Sequence, residues 1–207
     1  MSGLREKQRE ARDARILGAA MRLFRDEGYE AARMDRIAEL AELSVGTLYN
    51  YYENKADVLG ALVTREVSGV VAEGQALVDA PPPDLADALA SLMEVYSLHA
   101  LVDLTREMWR RAIGHSIVHP GSAFARTYAD QDDAIRAQIV ALLERLIARG
   151  DVRRDVAAEA VGAMLFDLMD RRFIRHVTAE DEPPEAFGAD LRRIAALVAR
   201  AVAPGPS

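Results

Sequence analysis

Apolar and polar residues recur at helical spacing along nearly the whole chain, and the pattern breaks at glycines and prolines. Ile16, Ala19, Ala20, Leu23 and Phe24 predict the buried face of a first helix, with Arg15, Arg22 and Arg25 on other faces and Gly28 placed to stop it. Met34, Ile37, Leu40 and Ala41 predict a short second helix, with Leu43 packing in the turn that follows. Ser44 is a good N-cap for a third helix of about two turns, over 44–52. Asn54 followed by Asp57 resembles a capping box and starts a fourth, over 56–78, which the Pro81-Pro82-Pro83 run ends. Long helices follow: 85–104, a segment around Met108, Trp109 and Ile113 closed by Gly114 and the His119-Pro120-Gly121 turn, then 124–148, 156–177 and 187–202. Nothing reads as a strand. The chain is expected to be all-α, with about nine helices, dividing into residues 1–56 and residues 57–207.

Two short helices joined by a tight turn, the second rich in contact residues, make a helix-turn-helix. Ser44, Val45, Gly46, Thr47, Leu48, Tyr49, Asn50, Tyr51 and Tyr52 gather hydroxyls, an amide and three aromatic rings in nine positions. A core helix would not present so many polar groups, and a solvated helix would not crowd in three tyrosines. Such groups reach phosphates, base edges and thymine methyls in a DNA groove. Leu48 and Tyr52 form an i, i+4 pair that supplies the buried side, which leaves Tyr49 and Tyr51 for contact; the plainer alternative is that all three tyrosines are core aromatics.

Composition narrows the classes. In 207 residues half are hydrophobic, so the chain is a packed globular protein. It has no cysteine, which removes disulfides, thiolate metal sites and a cysteine nucleophile. No apolar run approaches the roughly 20 residues that span a bilayer, and the charged N-terminus is not a signal peptide, so no membrane partner is expected and the location is cytoplasmic. The net charge of −7 looks wrong for a nucleic-acid binder until it is divided. In residues 1–56 ten Lys/Arg balance ten Asp/Glu, so the deficit lies after residue 56. A neutral N-terminal part permits phosphate binding, which depends on where cations point. Arg5, Lys7, Arg9 and Arg12 alternate with Glu6, Glu10 and Asp13; a solvated helix extension is favoured, and a groove-binding arm is the alternative.

Catalysis and metal binding find little to rest on. His99, His115, His119 and His176 give no i, i+4 pair except His115/His119, beside a proline, so surface or capping roles are expected. No Ser-His-Asp spacing, glycine-rich phosphate loop or paired-carboxylate motif stands out, and neither a catalytic site nor a cofactor is expected.

The runs LGAAMRLFRDEGYEAA and IAELAELSVGTLYNYYENKADVL, with the spacing between them, resemble the DNA-binding domain of the TetR family of bacterial transcriptional regulators. The resemblance covers about a quarter of the chain closely. It implies a homodimer with an N-terminal reading head on double-stranded DNA and a C-terminal ligand domain, released from a palindromic operator by a small-molecule effector. Carried over by position, it exposes Thr47, Tyr49, Asn50 and Tyr51 on the recognition helix. Val45 and Gly46 lie at its N-terminal end against bases and backbone, with Ser44 beside them. Lys55 holds a phosphate at the start of the fourth helix, and Arg33 and Arg36 are phosphate candidates flanking the second. Two positions depart from the family: Met34, where a small residue or threonine is common, and Glu42, where glycine or asparagine is. If Glu42 takes positive φ, it adds on the order of 1 kcal/mol of strain.

The segment VGAMLFDLMDRRFIRHV is apolar nearly all round and must be covered on every side. In the implied architecture one side packs on a partner subunit, through Val161, Leu165, Leu168, Ile194, Leu197 and Val198 of the last two helices, and the other lines a cavity. Met93, Tyr96, Met108, Trp109, Phe124, Tyr128, Phe166, Met169 and Phe173 are the residues available for an apolar or amphipathic ligand, with Met164 among the adaptable ones; ordinary core packing competes for each. The runner-up is a helical small-molecule-binding or scaffolding protein whose DNA head no longer works, and an all-helical enzyme is a distant third.

Overall fold

A computed structural model describes residues 2–205. The chain is all-α: among the described residues it forms nine helical rods and no strand. They are α1 (Ser2–Asp26), α2 (Met34–Leu40), α3 (Val45–Tyr49), α4 (Lys55–Asp79), α5 (Leu85–Asp103), α6 (Arg106–Val118), α7 (Ala123–Arg149), α8 (Ala158–Thr178) and α9 (Pro184–Val202). α5 opens into a π-helical turn over Val95–His99.

Local chemistry sets most boundaries. Gly28 and Gly150 follow α1 and α7 at φ +85° and +90°, the left-handed region open to glycine. The Asn54 carboxamide oxygen accepts from the N–H groups of Ala56 (2.8 Å) and Asp57 (3.1 Å), and Asp84 and Thr105 cap α5 and α6 in the same way. The Arg149 guanidinium donates to the carbonyls of Pro81, Pro82 and Pro83, which pins the proline run to the end of α7.

The chain divides into two compact units. The first holds residues up to 65 together with 104–127, so the segment carrying α6 belongs with the helix-turn-helix. Its core includes Ile16, Ala20, Leu23, Phe24, Ile37, Leu48, Leu62, Met108 and Trp109, all nearly or fully buried. Each buried Leu, Ile, Phe or Met among them contributes about 1.5–3 kcal/mol. The second unit holds 66–103 and 128 onward. Within it α5 packs along α9, and Leu89, Leu92, Leu142, Leu146, Leu165, Leu191 and Ala195 fill the centre. A Cβ on Gly162 of α8 would lie 2.6 Å from a Val140 methyl of α7, so this crossing is close enough to need glycine.

Several expectations need correction. The third helix is one turn shorter than expected. After Thr47 i−3 bonds appear (Asn50 N–H to Thr47 O, Tyr51 N–H to Leu48 O), a last i−4 bond runs from Tyr52 N–H to Leu48 O, and the Asn54 cap then starts α4. Gly114 lies inside α6 rather than closing it, because the helix continues to Val118. α9 begins at Pro184, where a missing N–H costs nothing in a first turn. α5 is long and apolar enough to cross a membrane, contrary to the expectation that no run would be; half of its apolar stretch is buried, with Leu89, Leu92, Met93 and Tyr96 in the core of the second unit. His176 is not at the surface: it is 1% exposed, stacked on Phe187 at 4.3 Å and bonded to Glu182.

Candidate nucleic-acid interface

The helix-turn-helix is built from the inside out. Ile37 and Ala38 of α2, Ala41 of the turn and Leu48 of α3 are buried in the same unit as the apolar stripe of α1, and α2 packs on both α1 and α3. With Leu48 inward, Val45 and Tyr49 on the same short helix stay 42% and 49% exposed. Both therefore stand at the surface of the short helix, where a partner can reach them. The Ser44 hydroxyl accepts from the Thr47 N–H at 3.1 Å and lies 2.8 Å from the Thr47 hydroxyl, so both are engaged in the cap while remaining at the surface. A Cβ on Gly46 would meet nothing within 4 Å, so chain packing does not require glycine there. Asn50 is exposed and Tyr51 half-buried. Tyr52, expected in the core, is half-buried, and its hydroxyl donates to Asp13 of α1 at 2.6 Å. Burial and the Asp13 carboxylate push its pKa upward. The N-terminal basic stretch continues α1 as a solvated helix.

Glu42 does adopt positive φ, at 56°. Its carboxylate lies 3.7 Å from the Arg15 guanidinium, an exposed pair that offsets little of the strain. Met34 opens α2 after Arg33, which offers no side-chain cap. The Arg33 guanidinium is held by both oxygens of Asp35 at 3.1 and 2.9 Å, and Arg36 pairs with Glu39. That guanidinium keeps the Asp35 carboxyl below its usual range. All four side chains are exposed, so a phosphate competes with weak partners.

Lys55 is more deeply engaged. Its ammonium donates to the carbonyls of Tyr29 (2.6 Å), Glu30 (3.0 Å) and Ala32 (3.0 Å) and stands 4.5 Å over the Tyr29 ring. The same α1–α2 loop is held from α6. Glu107 accepts from the Tyr29 N–H at 3.4 Å, and Arg111 pairs with Glu30. Sequence patterning offered no sign of Glu107 or Arg111, because their partners lie about eighty positions away.

The residues expected to line a ligand cavity fall into both units. Met108, Trp109 and Phe124 belong to the first; Met93, Tyr96, Tyr128, Phe166, Met169 and Phe173 belong to the second. In the second unit the Tyr96 hydroxyl bonds Gln138, the Arg136 guanidinium lies 4.8 Å from the Phe166 ring, and Phe173 sits 6.4 Å from Phe187. Burial, then the negative charges of Asp132 and Asp170, pushes the Tyr128 hydroxyl up, and burial raises both carboxyls, Asp132 to about 7. Among the described residues no group of three or more acidic or histidine side chains is placed to hold a metal.

A short, externally decorated helix locked behind a strained turn, on an otherwise helical chain, defines a helix-turn-helix regulator. Residues 16–62 match the pattern of the bacterial regulatory proteins of the tetR family. The chain is 30% identical over 152 residues to the HTH-type transcriptional repressor KstR of Mycobacterium tuberculosis, covering 72% of this chain and 64% of that one. It therefore spans under two thirds of that relative. A TetR-family transcriptional regulator of Pectobacterium atrosepticum shares the fold at a TM-score of 0.76 and 21% identity, over 98% of this chain and 99% of that one. Thermus thermophilus FadR, a repressor solved with lauroyl-CoA, shares it at 0.66 and 24%, over 94% and 99%. These last two likenesses speak to fold alone. Residues 16–62 thus carry the DNA-binding module of the TetR family of bacterial transcriptional regulators.

Proposed function

We propose that this protein is a ligand-responsive, cytoplasmic transcriptional repressor that binds a palindromic operator as a homodimer. The observation that carries this reading is the outward face of α3, where Val45 and Tyr49 stay exposed beside Thr47 and Asn50. Gly46 lets a phosphate backbone approach closely, and Tyr51, Arg33 and Arg36 flank the face. Lys55 brings positive charge to the edge of the head. Residues 1–56 act as the head and 57–207 as the ligand and dimerisation part.

Dimerisation is assigned to α8 and α9. Met164, Leu168 and Leu197 are 46%, 43% and 54% exposed in the single chain, which favours a covering partner. Leu165 and Val198, first assigned to that interface, are buried within the chain and serve its own core. A two-fold arrangement is the default for such a homodimer. The effector is an apolar or amphipathic small molecule held in the second unit among Met93, Tyr96, Tyr128, Phe166, Met169 and Phe173. FadR with lauroyl-CoA is the precedent for an amphipathic one. Such a molecule shifts the operator equilibrium only by preferring one conformation.

Binding to DNA upstream of the protein's own gene, followed by fluorescence anisotropy at several salt concentrations, tests the proposal. Saturable binding that weakens steeply with salt and is lost in Tyr49→Ala is expected. Salt-insensitive or absent binding would instead favour a helical ligand-binding protein with an inactive head.

A further inference from the structure

The first compact unit contains a cavity of about 190 Å³ that no part of the proposed repressor cycle uses. Its walls include Tyr29 of the α1–α2 loop, Leu59 and Gly60 of α4, Arg111 and His115 of α6, and Phe124 at the start of α7. Three of these are rings, and His115 and Phe124 lie 6.1 Å apart, centre to centre. One is a permanent cation, half-exposed, whose partner is Glu30. We propose that this cavity binds a small aromatic carboxylate, of about the size of benzoate.

Size argues for the ring. An apolar cavity of roughly 150 Å³ is enough to take up benzene. The present space, partly open to solvent, therefore admits one six-membered ring with one short substituent. Charge argues for the carboxylate. The Arg111–Glu30 pair is 49% and 63% exposed, and exposed ion pairs contribute little. A ligand carboxylate, partly desolvated by Leu59 and Phe124, offers the guanidinium a two-point partner and takes the place of Glu30.

That exchange has a structural consequence. Arg111–Glu30 is one of the ties that hold the α1–α2 loop, together with the Glu107–Tyr29 bond and the Lys55 ammonium. The loop runs directly into α2. A carboxylate on Arg111 removes the Glu30 tie and loosens the entry to the helix-turn-helix. This site is separate from the amphipathic pocket proposed for the other unit; only its effect on DNA binding rests on the repressor reading.

The test is a titration of the full-length protein, without DNA, with benzoate and with benzamide, following the His115 ring by NMR. Saturable benzoate binding at about 1 mM or tighter is expected, with benzamide at least tenfold weaker. Arg111→Gln should weaken benzoate at least tenfold, and Glu30→Gln, which removes the competing carboxylate, should strengthen it several-fold. Gly60→Ala should abolish binding, because its Cβ would lie 2.8 Å from the Phe124 ring and drive it into the space. If Gly60→Ala fails to fold, the other two variants decide. No saturation by about 10 mM, unchanged affinity in Arg111→Gln or Glu30→Gln, or shifts confined to the other unit would each overturn the assignment. With no DNA present, this result stands or falls independently of operator binding.

Discussion

Lys55 and Tyr29 are joined twice: the ammonium donates to the Tyr29 carbonyl at 2.6 Å and lies 4.5 Å above the centre of its ring. With the Glu30 and Ala32 carbonyls, this fills all three donors of the ammonium from one loop. The first residue of α4 therefore organises the approach to α2, a stabilising role in addition to any contact with phosphate.

Lys55→Ala should lower unfolding stability by about 2 kcal/mol, since hydrogen bonds from a charged donor contribute about 1.5–3 kcal/mol. Chemical denaturation measures this. The salt slope of operator binding should also flatten by about 0.9 if the lysine meets a phosphate. Unchanged stability would show that the loop does not depend on it.

Gly46→Ala separates function from folding. A Cβ there meets nothing within 4 Å, and alanine favours a helix by up to about 1 kcal/mol over glycine. Thermal stability should be equal or higher. Operator affinity should fall at least about tenfold, corresponding to 1.4 kcal/mol, because the added methyl would stand where the proposed interface brings the DNA backbone. Wild-type affinity by anisotropy would remove Gly46 from the interface.

The sequence made the helices legible because each is a local matter of periodicity and caps. Gly28, Ser44, Asn54, Gly150 and the prolines act within a few residues of themselves. The strained turn was visible too, since Glu42 stands where small or amide residues tolerate left-handed backbone. What could not be read is what α6 does. Glu107 and Arg111 look like ordinary solvated charges on an amphipathic helix, and only the fold brings them to Tyr29 and Glu30. Burial along α8 was ambiguous for a related reason. Leu165 and Leu168 are equally apolar, yet the first faces the chain's own core and the second is left open.

Leu168→Glu and Leu197→Glu should each shift the protein toward monomer. A charge placed in an apolar interface loses solvation, costing on the order of several kcal/mol unless paired. Light scattering at micromolar concentration should then give half the wild-type mass, with helix content retained because both side chains are exposed in the single chain. Dimers persisting in both variants would move the interface elsewhere.

Acid stability should depend on the turn between α8 and α9. Hydrogen bonds from Arg172, then from His176, hold the Glu182 carboxyl down at about 2, from an ordinary 4.5. A depressed carboxyl stabilises the fold fully above about pH 4.5, and that contribution is lost as pH falls toward 2. Glu182→Gln should therefore lower the melting temperature at pH 7 and flatten its decline between pH 4.5 and 2. Parallel pH curves for the two proteins would contradict this.

Asp132 works in the opposite sense. Burial, then the nearby Asp170 carboxylate, raises its carboxyl from 3.8 to about 7. Below about pH 4 both folded and unfolded chains hold that proton. Between about 4 and 7 the unfolded chain releases it while the folded chain keeps it, so stability falls as pH rises, and above 7 the loss is complete. Asp132→Asn should thus stabilise the protein at pH 8 by on the order of 1 kcal/mol, after discounting for its partial exposure, and leave it nearly unchanged at pH 4. Melting curves at the two pH values decide the point. Equal effects at both would mean that the aspartate is ionised in the folded chain well below neutrality, with the Arg136 guanidinium outweighing burial.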